Sequence, residues 1–232
     1  MSNRKSPIIY GIYKGMIAEE TRKIQECLKS SERFLKNEIE EIEKKSLEKT
    51  GREFTREEKQ DLGEHYAEIY RELTEELPLI FRNSLFVLSY STIENFLNRY
   101  CKRAKEACGL KLTLNDLKDG GIERAKNYLK KVAEIDFPEN GEWAEIKHYN
   151  RIRNFIVHND GKLDDSKKAE KVEKYIEKSD LLDLEKSKIN GKVVKKTIVL
   201  KRGFCEEVLK TIKEFLFQLD DAYLSWTRKK NT

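Results

Sequence analysis

The segment that most constrains the fold is a long apolar run between Leu79 and Cys108. Its first half is apolar around most of the helical circumference, and the run includes Phe81, Leu85, Phe86, Leu88, Ile93, Phe96, Leu97 and Tyr100. A helix that is hydrophobic on nearly all sides must be surrounded by other elements. The sequence therefore predicts a central core helix over this segment, closed by Gly109.

The N-terminal residues 13–76 are predicted to form a helical arm. Apolar residues recur at threes, fours and sevens over 16–49, which is typical of one long helix. A second helix is predicted to begin at Thr55, because Thr55 and Glu58 have the spacing of a capping box. It runs to Pro78, which is expected to kink the chain or to begin a new helix.

After the central helix, the pattern predicts further helices and one hairpin. The remaining helices are expected at 122–135, 142–159, 166–178 and 203–229. Over 186–202 the spacing and type of the apolar residues change from those of a helix to those of β-strands, and Asn190-Gly191 is a typical two-residue hairpin turn. The predicted fold class is all-α, a helical bundle with long N-terminal helices and one small β-hairpin insertion, with 1–232 as a single domain.

Composition excludes several classes of protein. No apolar run approaches the roughly 18 residues that a membrane span needs, and the first residues have no apolar region behind them that would suggest a signal peptide. The four cysteines are scattered without a CxxC pair, which argues against a metal site and against a disulfide framework. A cytoplasmic protein without a cofactor or a membrane partner is therefore expected.

The charges are unevenly distributed along the chain. The net charge is +5, but residues 38–76 carry fourteen acidic against seven basic side chains, whereas 99–131 carry ten basic against four acidic ones. A basic middle beside an acidic arm is compatible with a polyanionic partner. Solvated helix faces explain the same pattern without any partner.

Three histidines limit the choice of an acid–base residue. The sequence has no P-loop, no GxGxxG and no HExxH motif, so the candidates for general acid–base catalysis are His65, His148 and His158. His65 lies in an acidic helix and is predicted to be a solvated face residue. His148 lies near His158 in sequence and is compatible either with a place in the same site or with an ordinary surface position.

The helix around His158 is predicted to present a polar face. On a helical wheel three apolar side chains turn toward the core: Ile152, Phe155 and Ile156. Arg153, Asn154, Val157 and His158 spread across the opposite side. A β-branched apolar residue among polar ones suggests a face that meets another helix or a second subunit. Arg153 and His158 are about 140° apart around the axis, so they flank this face.

Such a face fits one reaction closely. Cleavage of RNA by its own 2′-hydroxyl needs a base for that hydroxyl, an acid for the leaving 5′-oxygen and charge stabilisation at phosphorus. The imidazole of His158 can serve as base or acid. The guanidinium of Arg153 offers a planar fork of donors to phosphate oxygens, and Asn154 can orient either group. Arg151 falls near His158 on the wheel and is a candidate for holding RNA, and no metal is required.

The segment Arg153-Asn154-Phe-Ile-Val-His158 resembles the Arg-x(4–6)-His motif of HEPN domains, including the polar residue that commonly follows the arginine. The helix over 89–97 is similar to the second core helix of some HEPN proteins, which often carries an acidic residue facing the site. That position is Glu94 here. The resemblance covers roughly 79–159, and the last helix would complete the bundle.

The resemblance implies a metal-independent endoribonuclease that dimerises, so that two Arg-His motifs form one composite cleft. Such proteins are frequent in toxin–antitoxin, abortive-infection and other anti-phage systems, and their products carry a 2′,3′-cyclic phosphate and a 5′-hydroxyl. Some of these toxins have Tyr two residues after the histidine. Asp160 stands there in this chain, which puts pairing with a nucleotidyltransferase antitoxin of that kind in doubt.

Other readings of these residues remain open. The chain is also compatible with a non-catalytic HEPN-like module that binds RNA, nucleotides or another protein. His158 would then be a favourable cation at a helix C-terminus, and Arg153 a surface ion-pair partner. Glu94 would be a helix-face carboxylate bonded to Asn98 or Arg99.

Overall fold

Helices account for most of the chain in a computed structural model, which describes residues 12–50 and 56–230. The helices are α1 (Ile12–Thr50), α2 (Arg56–Arg71), α3 (Leu77–Cys108), α4 (Gly121–Asn127), α5 (Gly141–Asn159), α6 (Lys167–Ile176) and α7 (Phe204–Lys230). Two strands, β1 (Leu182–Ile189) and β2 (Lys192–Leu200), form an antiparallel hairpin. The predicted helical fold with one small hairpin is confirmed at this level.

The predicted central helix is α3. A π-helical turn over Glu72–Glu76 precedes it, and Pro78 lies in its first turn, where the missing N–H costs no hydrogen bond. Gly109 closes the helix in the left-handed conformation, with φ 59°. The enclosure of α3 is incomplete, however, because Ile80 and Leu88 are 56% and 50% exposed.

The helix α3 packs against α1, α5 and α7. Against α7, the ring centroids of Phe86 and Phe204 are 5.4 Å apart. Further along the same interface, the buried Tyr100 hydroxyl donates to Asp220 Oδ1 over 2.7 Å. The aromatic and apolar side chains of α3 therefore form the centre of the core, as their number in the sequence predicts.

The first part of α1 belongs to this core. Ile17, Ile24 and Leu28 are buried in the same apolar cluster as α3. Arg99 of α3 also donates to Glu20 of α1 over 3.2 Å. The predicted arm over 13–76 is therefore not a separate body along its first part, because a regular apolar stripe binds it to the bundle.

The hairpin begins earlier than predicted. Its strands cover 182–200 instead of 186–202, since Leu182 and Leu184 pair with Leu200 and Ile198 on the face that turns toward the core. Alternating acidic residues in this segment hide the strand from a search for β-rich runs. The turn at Asn190-Gly191 is confirmed, with φ values of 50° and 76°.

Other predicted boundaries shift by small amounts. The helix predicted over 122–135 is the short α4 followed by a π-helical turn over Tyr128–Val132. The capping box predicted from Thr55 lies outside the described residues. In the part of the chain that the structure describes, no helix combines the length and the apolar character that crossing a bilayer requires.

Candidate active site

Both ends of α5 are fixed to the rest of the protein. At its start, the Asn140 side chain accepts from the backbone N–H of Trp143 over 3.2 Å, a standard N-cap. At its end, Asp160 and Gly161 adopt left-handed conformations, and the Gly161 carbonyl accepts from the N–H of Ile198 on β2 over 2.9 Å. The helix that carries the Arg-His motif is thus held between the bundle and the hairpin.

Arg153, predicted on the side of α5 opposite the core, is half-buried. Its guanidinium carbon lies 5.9 Å from the ring centroid of Tyr90 on α3, and its Nε is buried without a hydrogen-bond partner among the described residues. The side chain is long enough to leave the wheel position of its Cα and cover the aromatic ring. No ion pair of Arg153 is found within 12–50 and 56–230, in contrast to the surface-pair reading.

Tyr90 is the centre of a polar seam between α3 and α5. The ring is fully buried, and its hydroxyl also has no hydrogen-bond partner among the described residues. Burial raises the pKa of Tyr90 far above its ordinary range, Glu94 raises it further and Arg153 lowers it. Glu94 and Arg153 therefore act on the same phenol from two helices, and the predicted acidic residue lies on the Arg153 side of the bundle.

Glu94 lies beside a small cleft of about 260 Å³ between α3 and α4. Gly121 begins α4 with φ 52°, and a Cβ on it would meet Glu94 Oε1 at 3.8 Å. Arg124 also lines this cleft, and its Nε is buried without a partner in the described chain. Arg99, one of the partners considered for Glu94, pairs with α1 instead.

Asn154 is held by its neighbours on α5. Its Oδ1 accepts from Arg153 Nη1 over 3.2 Å, and its Nδ2 donates to Asn150 Oδ1 over 3.4 Å. These contacts join a cation and two amides in one line along the exposed surface. Asn154 is thus in direct contact with the guanidinium of Arg153.

His158 lies in the last turn of α5 and is exposed. The described residues offer it neither a hydrogen bond nor an ion pair. Val157 beside it is 43% exposed, so the apolar position predicted on this face is confirmed as accessible. Within one chain, the two ends of the motif are therefore in different surroundings: Arg153 is against α3 and His158 is in solvent.

His148 belongs to a different cleft. It stacks on Tyr175 of α6, with ring centroids 4.2 Å apart and an interplanar angle of 11°. Arg151 Nη1 lies 3.3 Å from His148 Nδ1. Ten residues separate His148 from His158, which is about 15 Å along the helix axis. Of the supporting residues that were predicted, Glu94 is thus near Arg153, whereas His148 and the guanidinium of Arg151 are held elsewhere.

Two parts of the site were not identified from the sequence. Tyr90 is the first, because nothing local indicates that an arginine 63 positions away covers it. Asn150 was passed over although it stands four residues before Asn154, a spacing that places two side chains side by side on a helix. Local sequence patterns could not have indicated the role of Tyr90, whereas the spacing of Asn150 and Asn154 could have indicated that of Asn150.

No group of three or more His, Cys, Asp or Glu side chains suited to a metal ion occurs among residues 12–50 and 56–230. Comparisons of the chain with protein-family models, with curated proteins and with solved structures gave no match.

Proposed function

We propose that this protein is a metal-independent endoribonuclease of the HEPN type, acting in anti-phage defence or as a toxin, and that the exposed surface of α5 is its active site. The observation that carries the proposal is the arrangement around Arg153. A half-buried guanidinium is held by Tyr90 and Asn154, and an exposed imidazole lies on the same helix. A fixed cation beside an accessible acid–base group is what RNA cleavage without a metal requires.

In the proposed reaction, His158 removes the proton of the 2′-hydroxyl or protonates the 5′-oxygen. The 2′-oxygen forms a bond to phosphorus while the bond to the 5′-oxygen breaks, which leaves a 2′,3′-cyclic phosphate and a 5′-hydroxyl. Arg153 stabilises the negative charge on the phosphorane through its terminal nitrogens. Asn154 accepts from one of these nitrogens and positions the guanidinium.

The proposal includes a homodimer. Arg153 and His158 are about 140° apart around α5, so one copy does not place both groups on one phosphate directly. A second copy facing the first across Val157 would supply the missing group to each half. The exposure of Val157 between polar neighbours supports such a contact. An antitoxin or another defence protein is a further candidate partner for the same surface.

The proposal is tested by incubating purified protein in EDTA with total RNA and a tRNA pool. We expect the wild type to produce cyclic-phosphate ends and His158→Ala to produce none. His65→Ala is the matched control, because it removes an exposed histidine from α2, away from α5. Equal cleavage by the wild type and His158→Ala, or no cleavage by the wild type, contradicts the proposal.

One observation favours a second candidate, a non-catalytic RNA- or nucleotide-binding module. In the described part of a single copy, nothing holds the His158 ring in one tautomer, whereas catalytic imidazoles are commonly oriented by a second group. Under this alternative His158→Ala keeps its affinity for RNA and the wild type cleaves nothing. Filter binding of labelled tRNA in parallel with the cleavage assay separates the two functions.

A further inference from the structure

A second cleft, of about 610 Å³, lies between α5 and α6 at the start of α7. Buried Tyr149 and Phe204 line its inner part. Three exposed lysines line its outer part: Lys171, Lys174 and Lys178. None of the three has an ion pair among the described residues. The cleft thus combines a closed aromatic interior with free cations at its mouth.

The wall of the cleft is rigid around His148. Its ring lies flat on Tyr175, and the Tyr175 hydroxyl donates to Glu145 Oε2 over 2.5 Å. These contacts join α5 to α6 and engage the carboxylate of Glu145, which raises the pKa of His148. Glu145 is therefore engaged by the phenol instead of by a lysine.

Charges of both signs act on His148 at this wall. Burial lowers the pKa of His148, and the positive charges of Arg151, Lys147 and Lys178 lower it further, against Glu145. Lys147 and Lys178 have no ion pair in the described chain, in contrast to Lys196 of β2, whose Nζ lies 2.7 Å from a Glu173 oxygen.

Two further carboxylates, those of Asp180 and Glu207, also line the cleft. Burial raises the pKa of Tyr149 to about 12, and Glu207 adds to this effect. The negative charge of Glu207 is therefore felt in the aromatic interior, and the three lysines at the mouth of the cleft have no ion pair in the described chain.

This wall continues toward the candidate active site. Seven residues separate Arg151 from His158, so their Cα atoms lie nearly in line along α5, about 10 Å apart. Asn154 lies between them on the same exposed surface. A strand that passes His158 would reach Arg151 and then the mouth of the cleft within a few nucleotides.

We infer that the cleft between α5 and α6 binds the backbone phosphates of single-stranded RNA through Lys171, Lys174 and Lys178, next to the strand's contact with His158. The identity of the ligand as RNA rests on the proposed function. The chemistry of recognition is that of cations without anionic partners, grouped on a rigid wall, which neutralise phosphates and release counterions. His148 serves here as part of the wall and takes no part in the cleavage step.

The inference is tested by the anisotropy of a short fluorescein-labelled oligouridylate, titrated at several salt concentrations with the His158→Ala chain, so that cleavage does not interfere. Added Lys174→Gln and Lys178→Gln should weaken binding by on the order of tenfold at about 0.1 M salt. The slope of log affinity against log salt should fall by about 1.4, since each phosphate contact to a single strand contributes about 0.7.

Lys102→Gln with Lys229→Gln is the matched control, because it removes two exposed lysines of α3 and α7 that do not line the cleft. We expect this pair to leave the slope nearly unchanged. An equal loss of affinity in the two double variants, or no loss of affinity in the cleft variant, overturns the inference. Inorganic phosphate is a second probe: tight binding of phosphate with no binding of the oligouridylate also overturns it, since the site would then take a free ion.

These outcomes are distinct from those of the cleavage assay. If RNA is not cleaved but the cleft lysines set its affinity, the proposed enzyme is wrong and the binding cleft stands. If cleavage depends on His158 and the cleft pair binds like the control pair, the enzyme stands and the cleft assignment fails.

Discussion

Arg153 and His158 stand five residues apart on α5, yet the two side chains are held in opposite ways. The guanidinium is half-buried on Tyr90 and bonded to Asn154, whereas the imidazole is exposed and has no partner in the described chain. A preformed cation can stabilise charge without reorganisation, but a free imidazole must be oriented by its ligand or by a second copy. The Arg153 end is therefore expected to serve both stability and function, and the His158 end function alone.

The largest effect is expected for His158→Ala, which should lower activity without lowering stability. His158→Ala should lower the rate of RNA cleavage by about a hundred- to ten-thousand-fold, the usual contribution of a general acid or base. Its free energy of unfolding should change by less than about 0.5 kcal/mol, because the side chain is exposed and has no hydrogen bond or ion pair in the described chain. Cleavage kinetics and urea unfolding of the same preparation measure both. A destabilised His158→Ala chain would contradict the contrast.

Variants of Tyr90 test the Arg153 end of the motif, which is half-buried. Tyr90→Ala should lower the free energy of unfolding by about 3–5 kcal/mol, because it empties a fully buried aromatic position under Arg153. Tyr90→Phe is the control and should change it by less than about 1 kcal/mol, since the lost hydroxyl has no partner among the described residues. Chemical denaturation distinguishes them. A large loss in Tyr90→Phe would mean that the hydroxyl makes a contact that stabilises the fold.

Arg153→Ala should affect both the cleavage of RNA and the free energy of unfolding. We expect cleavage to be lost and the free energy of unfolding to fall by about 1 kcal/mol, from the lost contact with the Tyr90 ring and the lost packing of the side chain. The thermal midpoint should fall by about 2–4 °C for a chain of this size. If Arg153→Ala were as stable as His158→Ala, the two ends of the motif would not differ as described.

The smallest effect is expected at Asn150. Its contact with Asn154 is long, at 3.4 Å, and exposed, so Asn150→Ala should cost about 0.5 kcal/mol or less. Cleavage should fall by less than about tenfold, because the guanidinium keeps its contacts with Asn154 and Tyr90. A loss as large as that of Arg153→Ala would show that the line of amides is essential to the site.

The same contrast explains what the sequence could predict. Local rules succeed where neighbours along the chain decide the structure: the apolar run of α3, the stop at Gly109 and the turn at Asn190-Gly191 are all confirmed. The exposure of Val157 and His158 follows from helical periodicity in the same way. These features depend on a few consecutive residues, so a single sequence contains the needed information.

The errors arise where distant segments meet. The wheel did not reveal the contact of Arg153 with Tyr90, because it follows the Cα position and ignores the reach of the side chain. The helical wheel also could not decide whether His148 belongs to the same site as His158, because the position of His148 depends on Tyr175 in a separate helix. The early start of β1 at Leu182 was missed because its partners on β2 complete the pattern. In each case, the deciding contact lies far away in sequence.

The central claim is that Arg153 and His158 act in one cleavage step, supplied by two copies of the chain. The most direct test mixes purified Arg153→Ala and His158→Ala chains after each has been assayed alone. Each variant alone should be inactive. The mixture should regain about a quarter of the wild-type rate, because half of the dimers are mixed and each of these has one intact site of two. A mixture that stays inactive, or wild-type activity of either variant alone, would contradict the account.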